Sequence, residues 1–136
     1  MSLIAIDTNV LVRVLTRDDR RQADQAAALL RTGPLWLSKT VLLETEWVLR
    51  YTYKFRSVDI NRALYALASL QHLTVEDGES VKRALAWHAA GMDFADALHL
   101  ASAEQARKLV TFDRGLAKLA ASVGATPPVE SIKSSK

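Results

Sequence analysis

The chain has 136 residues, 49% of them hydrophobic and 24% charged, with a net charge of +3. That length fits one domain with a substantial core, and the composition excludes a disordered chain. Cysteine is absent, which excludes disulfides, zinc–thiolate sites and thiol catalysis. Leu3 to Ile6 is too short for a secretory apolar region, and no run approaches the ~20 apolar residues that span a bilayer. A soluble, cytoplasmic protein with no membrane partner is expected.

Strand and helix signals alternate along the chain. Leu3–Ile6 reads as a short buried strand, followed by a helix from Thr8 to Thr16. An alanine-rich helix from about Asp19 to Arg31 is stopped by Gly33-Pro34. Leu35-Trp36-Leu37 is the next strand, and Ser38 is placed to cap a helix reaching about Tyr53. Ser57 and Asp59 start a helix ending near Leu70, and Leu73-Thr74-Val75 is a brief strand. Asp77-Gly78 leads into a helix ending at Gly91, and Asp93 caps a long one running to Arg107. Leu109–Thr111 is a strand and Arg114–Ser122 a short helix. Thr126–Val129 suits only an edge strand, because its prolines cannot donate to a sheet centre. Residues 131–136 read as a polar, frayed tail after a single domain over 1–130. Short apolar strands alternating with helices predict an α/β fold, a mostly parallel sheet of about four or five strands covered on both faces.

Four carboxylates stand at conspicuous places in this pattern. Asp7 closes the first strand, Glu44 interrupts Val41-Leu42-Leu43, Asp96 opens Ala97-Leu98-His99-Leu100-Ala101, and Asp113 follows Leu109-Val110-Thr111. Buried in apolar surroundings, an unpaired carboxylate costs several kcal/mol or takes up a proton, so a shared divalent cation is expected. In open α/β sheets ligands bind beyond the carboxyl ends of the strands, which is where Asp7 and Asp113 fall. Two charges 4 Å apart at an effective dielectric of about 20 repel by roughly 4 kcal/mol, so four clustered acids need protons or a cation. An all-oxygen donor set favours Mg²⁺ or Mn²⁺ over zinc. With these four acids set aside, 11 acids face 18 Lys and Arg, a balance of +7 that suits a polyanionic ligand. Arginines solvated on helix surfaces account for the same charge equally well.

The four segments carry a family resemblance. Ile4-Ala5-Ile6-Asp7-Thr8-Asn9-Val10 resembles the opening strand of PIN-domain nucleases, and Ser38-Lys39-Thr40-Val41-Leu42-Leu43-Glu44 their second motif. Asp93-Phe94-Ala95-Asp96-Ala97-Leu98-His99-Leu100-Ala101 is similar to their third, and Val110-Thr111-Phe112-Asp113 to their fourth. The ordered set covers nearly the whole chain, and its compactness resembles the VapC group, the ribonuclease toxins of toxin–antitoxin pairs. The resemblance implies a three-layer α/β/α domain that cleaves RNA with Mg²⁺ or Mn²⁺. It implies that Asp7, Glu44, Asp96 and Asp113 hold the metal and act in catalysis. Thr8, Asn9 and Thr111 would orient those carboxylates through hydrogen bonds. A homodimer held inactive by a small VapB-like antitoxin is the implied assembly.

Neighbouring residues offer competing readings. Asp93 lies one helical turn before Asp96 and reads foremost as a cap, while Glu46 points about 160–200° from Glu44 and reads as solvated or ion-paired. Asp113 could simply cap the last helix, Thr8 or Asn9 could cap the first, and Asp18 and Asp19 look like turn and cap residues. His99 is expected to be half-buried and hydrogen-bonded; His72 and His88 have no catalytic neighbours. Arg50, Lys54 and Arg56 interleave with Tyr51, Tyr53 and Phe55, a pattern suited to RNA and equally to a helix C-terminus. Arg13, Arg17, Arg20 and Arg21 form a second basic stretch near Asp7 that could line an approach for RNA or receive an antitoxin tail. The rival to a nuclease is a noncatalytic PIN-like module that binds RNA or protein. A phosphatase with Asp7 as nucleophile lacks the second acid two residues on, where Asn9 stands.

Overall fold

The strands that the alternating pattern predicts form in the computed structural model, which describes residues 2–133. The chain divides into two compact units, Met1–Gly78 and Glu79–Lys136. The first contains β1 (Ile4–Ala5), α1 (Thr8–Thr16), α2 (Arg20–Thr32), β2 (Leu35–Leu37), α3 (Lys39–Tyr51), α4 (Ser57–Ala68) and β3 (Leu73–Val75). The second contains α5 (Gly78–Ala89, starting at the boundary), α6 (Phe94–Ser102), β4 (Leu109–Thr111), α7 (Arg114–Ser122) and β5 (Val129–Ser131).

In the first unit three strands pair in the order β1-β2-β3, all parallel, with Ile4 opposite Leu35 and Leu35 opposite Leu73. A parallel pair needs a crossover, and here each crossover is a pair of helices: α1–α2 between β1 and β2, α3–α4 between β2 and β3. All three strands therefore end on one edge, where Asp7, Ser38 and Glu76 follow. Three of the four helices begin on a side-chain cap: Asp7 for α1, Asp19 for α2 and Ser38 for α3. Those caps let α1 form although Val10, Val12 and Val14 favour strands, and Leu11 and Val12 are buried where α1 packs on α2. Ala23 and Ala26 are the buried residues of α2, small enough for close helix contact. Leu35, Leu37, Leu42, Leu49, Ile60 and Leu64 are fully buried and make the centre of this core. After α2 the chain turns at Gly33 with φ 40°, where a Cβ would collide with the His72 side chain, so only glycine fits.

The second unit pairs β4 with β5 in parallel, Leu109 opposite Val129. Val81, Leu85, Phe94, Ala97 and Leu100 are buried among its helices, and the buried His88 ring meets Phe94 edge-on at 5.4 Å. Among the described residues, no helix is long and apolar enough to cross a membrane.

Several sequence expectations need correction. The helix after Asp93 stops at Ser102, well short of Arg107. Arg83 reaches the Ala101 carbonyl at 3.5 Å and the Glu104 carboxylate at 2.7 Å, so a side chain from α5 engages the chain where the next turn would form. The helices expected to reach Leu70 and Gly91 end at Ala68 and Ala89. β5 begins at Val129, after the prolines, and runs through Ser131, with Ile132 N–H donating to Thr111 O at 2.7 Å. The expected tail thus starts later, and its last three positions, 134–136, lie outside the described residues. The first strand was expected to be buried, yet both β1 residues are exposed and only Ile6 beyond them is buried.

Candidate active site

The acids are not buried either. Asp7, Glu44 and Asp113 are exposed and Asp96 is half-buried, whereas Glu46 is a fully buried acid at 2% exposure. For Asp7 and Asp113, as for Asp93, the reason is local: they are helix N-caps, and a cap sits where the chain emerges from the core. The exposed N–H groups of a first turn and the helix dipole stabilise a carboxylate there without burial. A capping carboxylate commits one oxygen to the helix and has a second with which to hold a cation.

In the first unit Asp7 and Glu44 are joined through one residue. Thr8 donates its backbone N–H to Asp7 Oδ1 at 2.7 Å and its hydroxyl to Glu44 Oε1. Thr8 is itself buried, so it fixes both carboxylates from beneath, one at the start of α1 and one in the middle of α3. Asp7, Thr8, Asn9, Val12, Arg13, Glu44, Val48, Thr52 and Tyr53 line a cleft of ≈ 350 Å³. Asn9 and Arg13 also line an adjoining cleft of ≈ 440 Å³ against Gln22 and Leu29. Beyond β3, Glu76 accepts the Lys39 N–H at 2.9 Å, and Asp77 pairs with the Lys39 ammonium at 2.7 Å, so both serve the start of α3.

In the second unit Asp93 caps α6, its Oδ2 accepting the Asp96 N–H at 3.2 Å. Asp113 caps α7, its Oδ1 accepting the Leu116 N–H at 3.0 Å, while Thr111 Oγ1 accepts the Asp113 N–H at 3.0 Å. Capping is therefore a real role of Asp113, and its neighbour Gly115 keeps it possible: a Cβ there would lie 3.2 Å from Asp113 Oδ1. The Asp96 carboxyl is held above its ordinary range, first by desolvation and then by the charges of Asp93 and Asp113, with His99 opposing. His99 is exposed rather than half-buried, because a position three residues on from Asp96 shares its face of α6 instead of the core face. Asp96 thus lies in a field of like charge, the condition a cation relieves.

The donor set suits a hard divalent ion: every candidate ligand is a carboxylate, and no thiolate exists. Among the described residues no three His, Asp or Glu side chains form a ready metal-binding group. The acids stand as Asp7 with Glu44 in the first unit, and Asp96 with Asp93 and Asp113 in the second.

The basic candidates are mostly engaged. Arg13 donates to Gln22 at 2.7 Å and approaches Asp18 at 3.4 Å while lining the cleft. Arg17 pairs with Asp24 at 2.8 Å, Arg50 with the buried Glu46 at 2.8 Å, and Arg56 with Asp59 at 3.1 Å; Lys54 is exposed at φ 60°. Sequence reasoning treated Tyr53 only as one aromatic in a basic stretch. Its hydroxyl donates to Asp18 at 2.6 Å, tying the turn after α1 to the segment after α3 at the rim of the cleft. That bond, with those from Thr16 and Arg13, holds the Asp18 carboxyl below its ordinary range. Val48 and Thr52, also unremarked in the sequence, follow Glu44 at four and eight residues, so helical spacing could have found them.

The family profile of the PIN domain matches residues 4–122. No curated protein matches the chain.

Proposed function

The chain belongs to the PIN-domain family, whose members are generally metal-dependent nucleases acting on nucleic acid, and from that premise we propose an Mg²⁺- or Mn²⁺-dependent endoribonuclease. The observation that carries the reading is the double hydrogen bond of Thr8, which holds Asp7 and Glu44 in fixed orientation at one cleft. A binding module gains nothing from orienting two mutually repelling carboxylates in this way.

Asp7, Glu44 and Asp96 would hold the ion, with Asp113 helping directly or through water. Bound there, a divalent ion supplies Lewis-acid stabilisation and lowers the pKa of water at the phosphodiester. The protein's own part is orientation. Thr8 sets the Asp7 and Glu44 carboxylates, Thr111 sets the turn that presents Asp113, and Asn9 and Arg13 border the cleft where a phosphodiester would enter. Arg13 offers a guanidinium to the phosphate and to the charge that grows during in-line attack.

Within the family, the ordered motifs support a VapC-type toxin, working in the cytoplasm as a homodimer and restrained by a small VapB-like antitoxin. Incubating labelled RNA with Mg²⁺ or Mn²⁺, and again with EDTA, tests the activity. Internal cleavage that depends on the metal is expected; cleavage unaffected by EDTA overturns the metal mechanism, and none with either metal overturns the reading in favour of a noncatalytic RNA-binding or protein-binding module.

A further inference from the structure

We propose that the solvent face of α3 carries a base-stacking shelf, Trp47 backed by Tyr51, for the nucleotides that flank the cleft at Asp7 and Glu44. The inference rests on the ribonuclease reading and deepens it by assigning a binding subsite for single-stranded RNA.

Trp47 and Tyr51 are among the larger apolar groups left in water, at 55% and 48% exposure. Four residues apart on one helix, their rings meet with centroids 5.0 Å apart and planes at 46°. Glu44, Trp47, Val48 and Tyr51 fall at i, i+3, i+4 and i+7, so the acid and the aromatics lie along one stripe of α3. Helical rise puts Trp47 about 4.5 Å and Tyr51 about 10 Å further along the axis than Glu44. Val48, between them, already lines the cleft with Asp7 and Glu44, so the shelf continues a surface that reaches the acids.

The shelf is also held in place. Glu46 is buried and pairs with Arg50 through two contacts, at 2.8 and 3.2 Å. The Arg50 guanidinium then lies 4.6 Å from the centre of the Tyr51 ring, and Tyr51 packs against Trp47. A buried carboxylate thus orders a cation, the cation orders one ring, and that ring orders the next. Fixing an aromatic before its ligand arrives lowers the entropy cost of stacking. An ordered ring pair beside cations, with Lys54 exposed just past the helix end, matches a polyanion whose bases have π-faces. A second copy of this chain is the other occupant such a face could take.

Fluorescence anisotropy of the full chain with a fluorescein-labelled oligouridylate or oligoadenylate of about 12 nucleotides, in EDTA, reads this subsite without cleavage. Trp47→Ala and Tyr51→Ala are each expected to weaken binding roughly 5- to 100-fold, and Trp47→Phe to bind within about threefold of wild type. RNA should also quench tryptophan fluorescence in the wild type, and that quench should disappear in Trp47→Phe. Circular dichroism melting of each variant separates loss of the shelf from loss of the fold. The proposal is overturned if a folded Trp47→Ala/Tyr51→Ala double variant binds RNA as the wild type does. It is equally overturned if the double variant converts a dimer to monomers in sedimentation velocity with unchanged affinity per protomer. Failure of the ribonuclease reading looks different: metal-dependent cleavage is missing while the stacking losses in EDTA persist.

Discussion

Thr8 holds the first pair of acids together, and its contribution can be separated from that of the acids. Replacing it with valine keeps the shape and the N–H bond to Asp7 but removes the hydroxyl that reaches Glu44. The expected result is about a 10- to 100-fold loss of cleavage rate with the melting temperature little changed, measured by initial rates and calorimetry. An unchanged rate would mean that Glu44 needs no orienting partner. Asp96 makes a prediction of opposite kind. Its folded carboxyl is raised by desolvation and by Asp93 and Asp113, so the fold favours its protonated form. That contribution is complete below the unfolded carboxylate range, around pH 3.9, and is lost as pH rises through the raised folded value. In EDTA at pH 7, Asp96→Asn is therefore expected to melt above the wild type, with the gap closing toward pH 4. A lower melting temperature for the variant at pH 7 would remove like-charge repulsion from the account.

At the level of elements, much of the fold was legible because apolar runs and cap residues speak for themselves. Asp19, Ser38, Asp93 and Asp113 were visible as cap residues, and each begins a helix where it stands; the first helix was expected to be capped by Thr8 or Asn9, and Asp7 caps it instead. The end of α6 was not legible, since Ala-Glu-Gln-Ala-Arg reads as helix and what meets it is Arg83, distant in sequence. Exposure was misjudged for a related reason. An acid beside an apolar run looks buried in one dimension, but a cap residue leaves the core in three. Glu46, expected to be solvated or ion-paired, is ion-paired with Arg50 and buried, because its helical phase from Glu44 puts it on the core face. Glu46 is buried but its partner Arg50 is partly exposed, so Arg50→Ala leaves a buried charge that water can reach in part and should destabilise the protein by about 2 kcal/mol, read by urea denaturation. A loss below about 1 kcal/mol would show that Glu46 is satisfied by its other contacts.

On the scale of the whole chain, 18 Lys and Arg against 15 Asp and Glu leave a net charge of +3. Such a protein should hold RNA mainly through phosphates, with affinity that falls as salt rises. The family was legible because four motifs came in order, and the PIN-domain match over residues 4–122 agrees with it. The resemblance implied that Thr8 orients the acids; which acid its hydroxyl reaches was not legible, because that depends on α1 and α3 lying side by side. We propose that Asp7 and Asp96 are each needed for metal-dependent cleavage of RNA. The most direct test is the Mg²⁺-dependent cleavage rate of a labelled RNA by the wild type, Asp7→Asn and Asp96→Asn, all shown to be folded. The account predicts that each substitution, one in each unit, lowers the rate at least about 100-fold. Wild-type cleavage by either variant would contradict it.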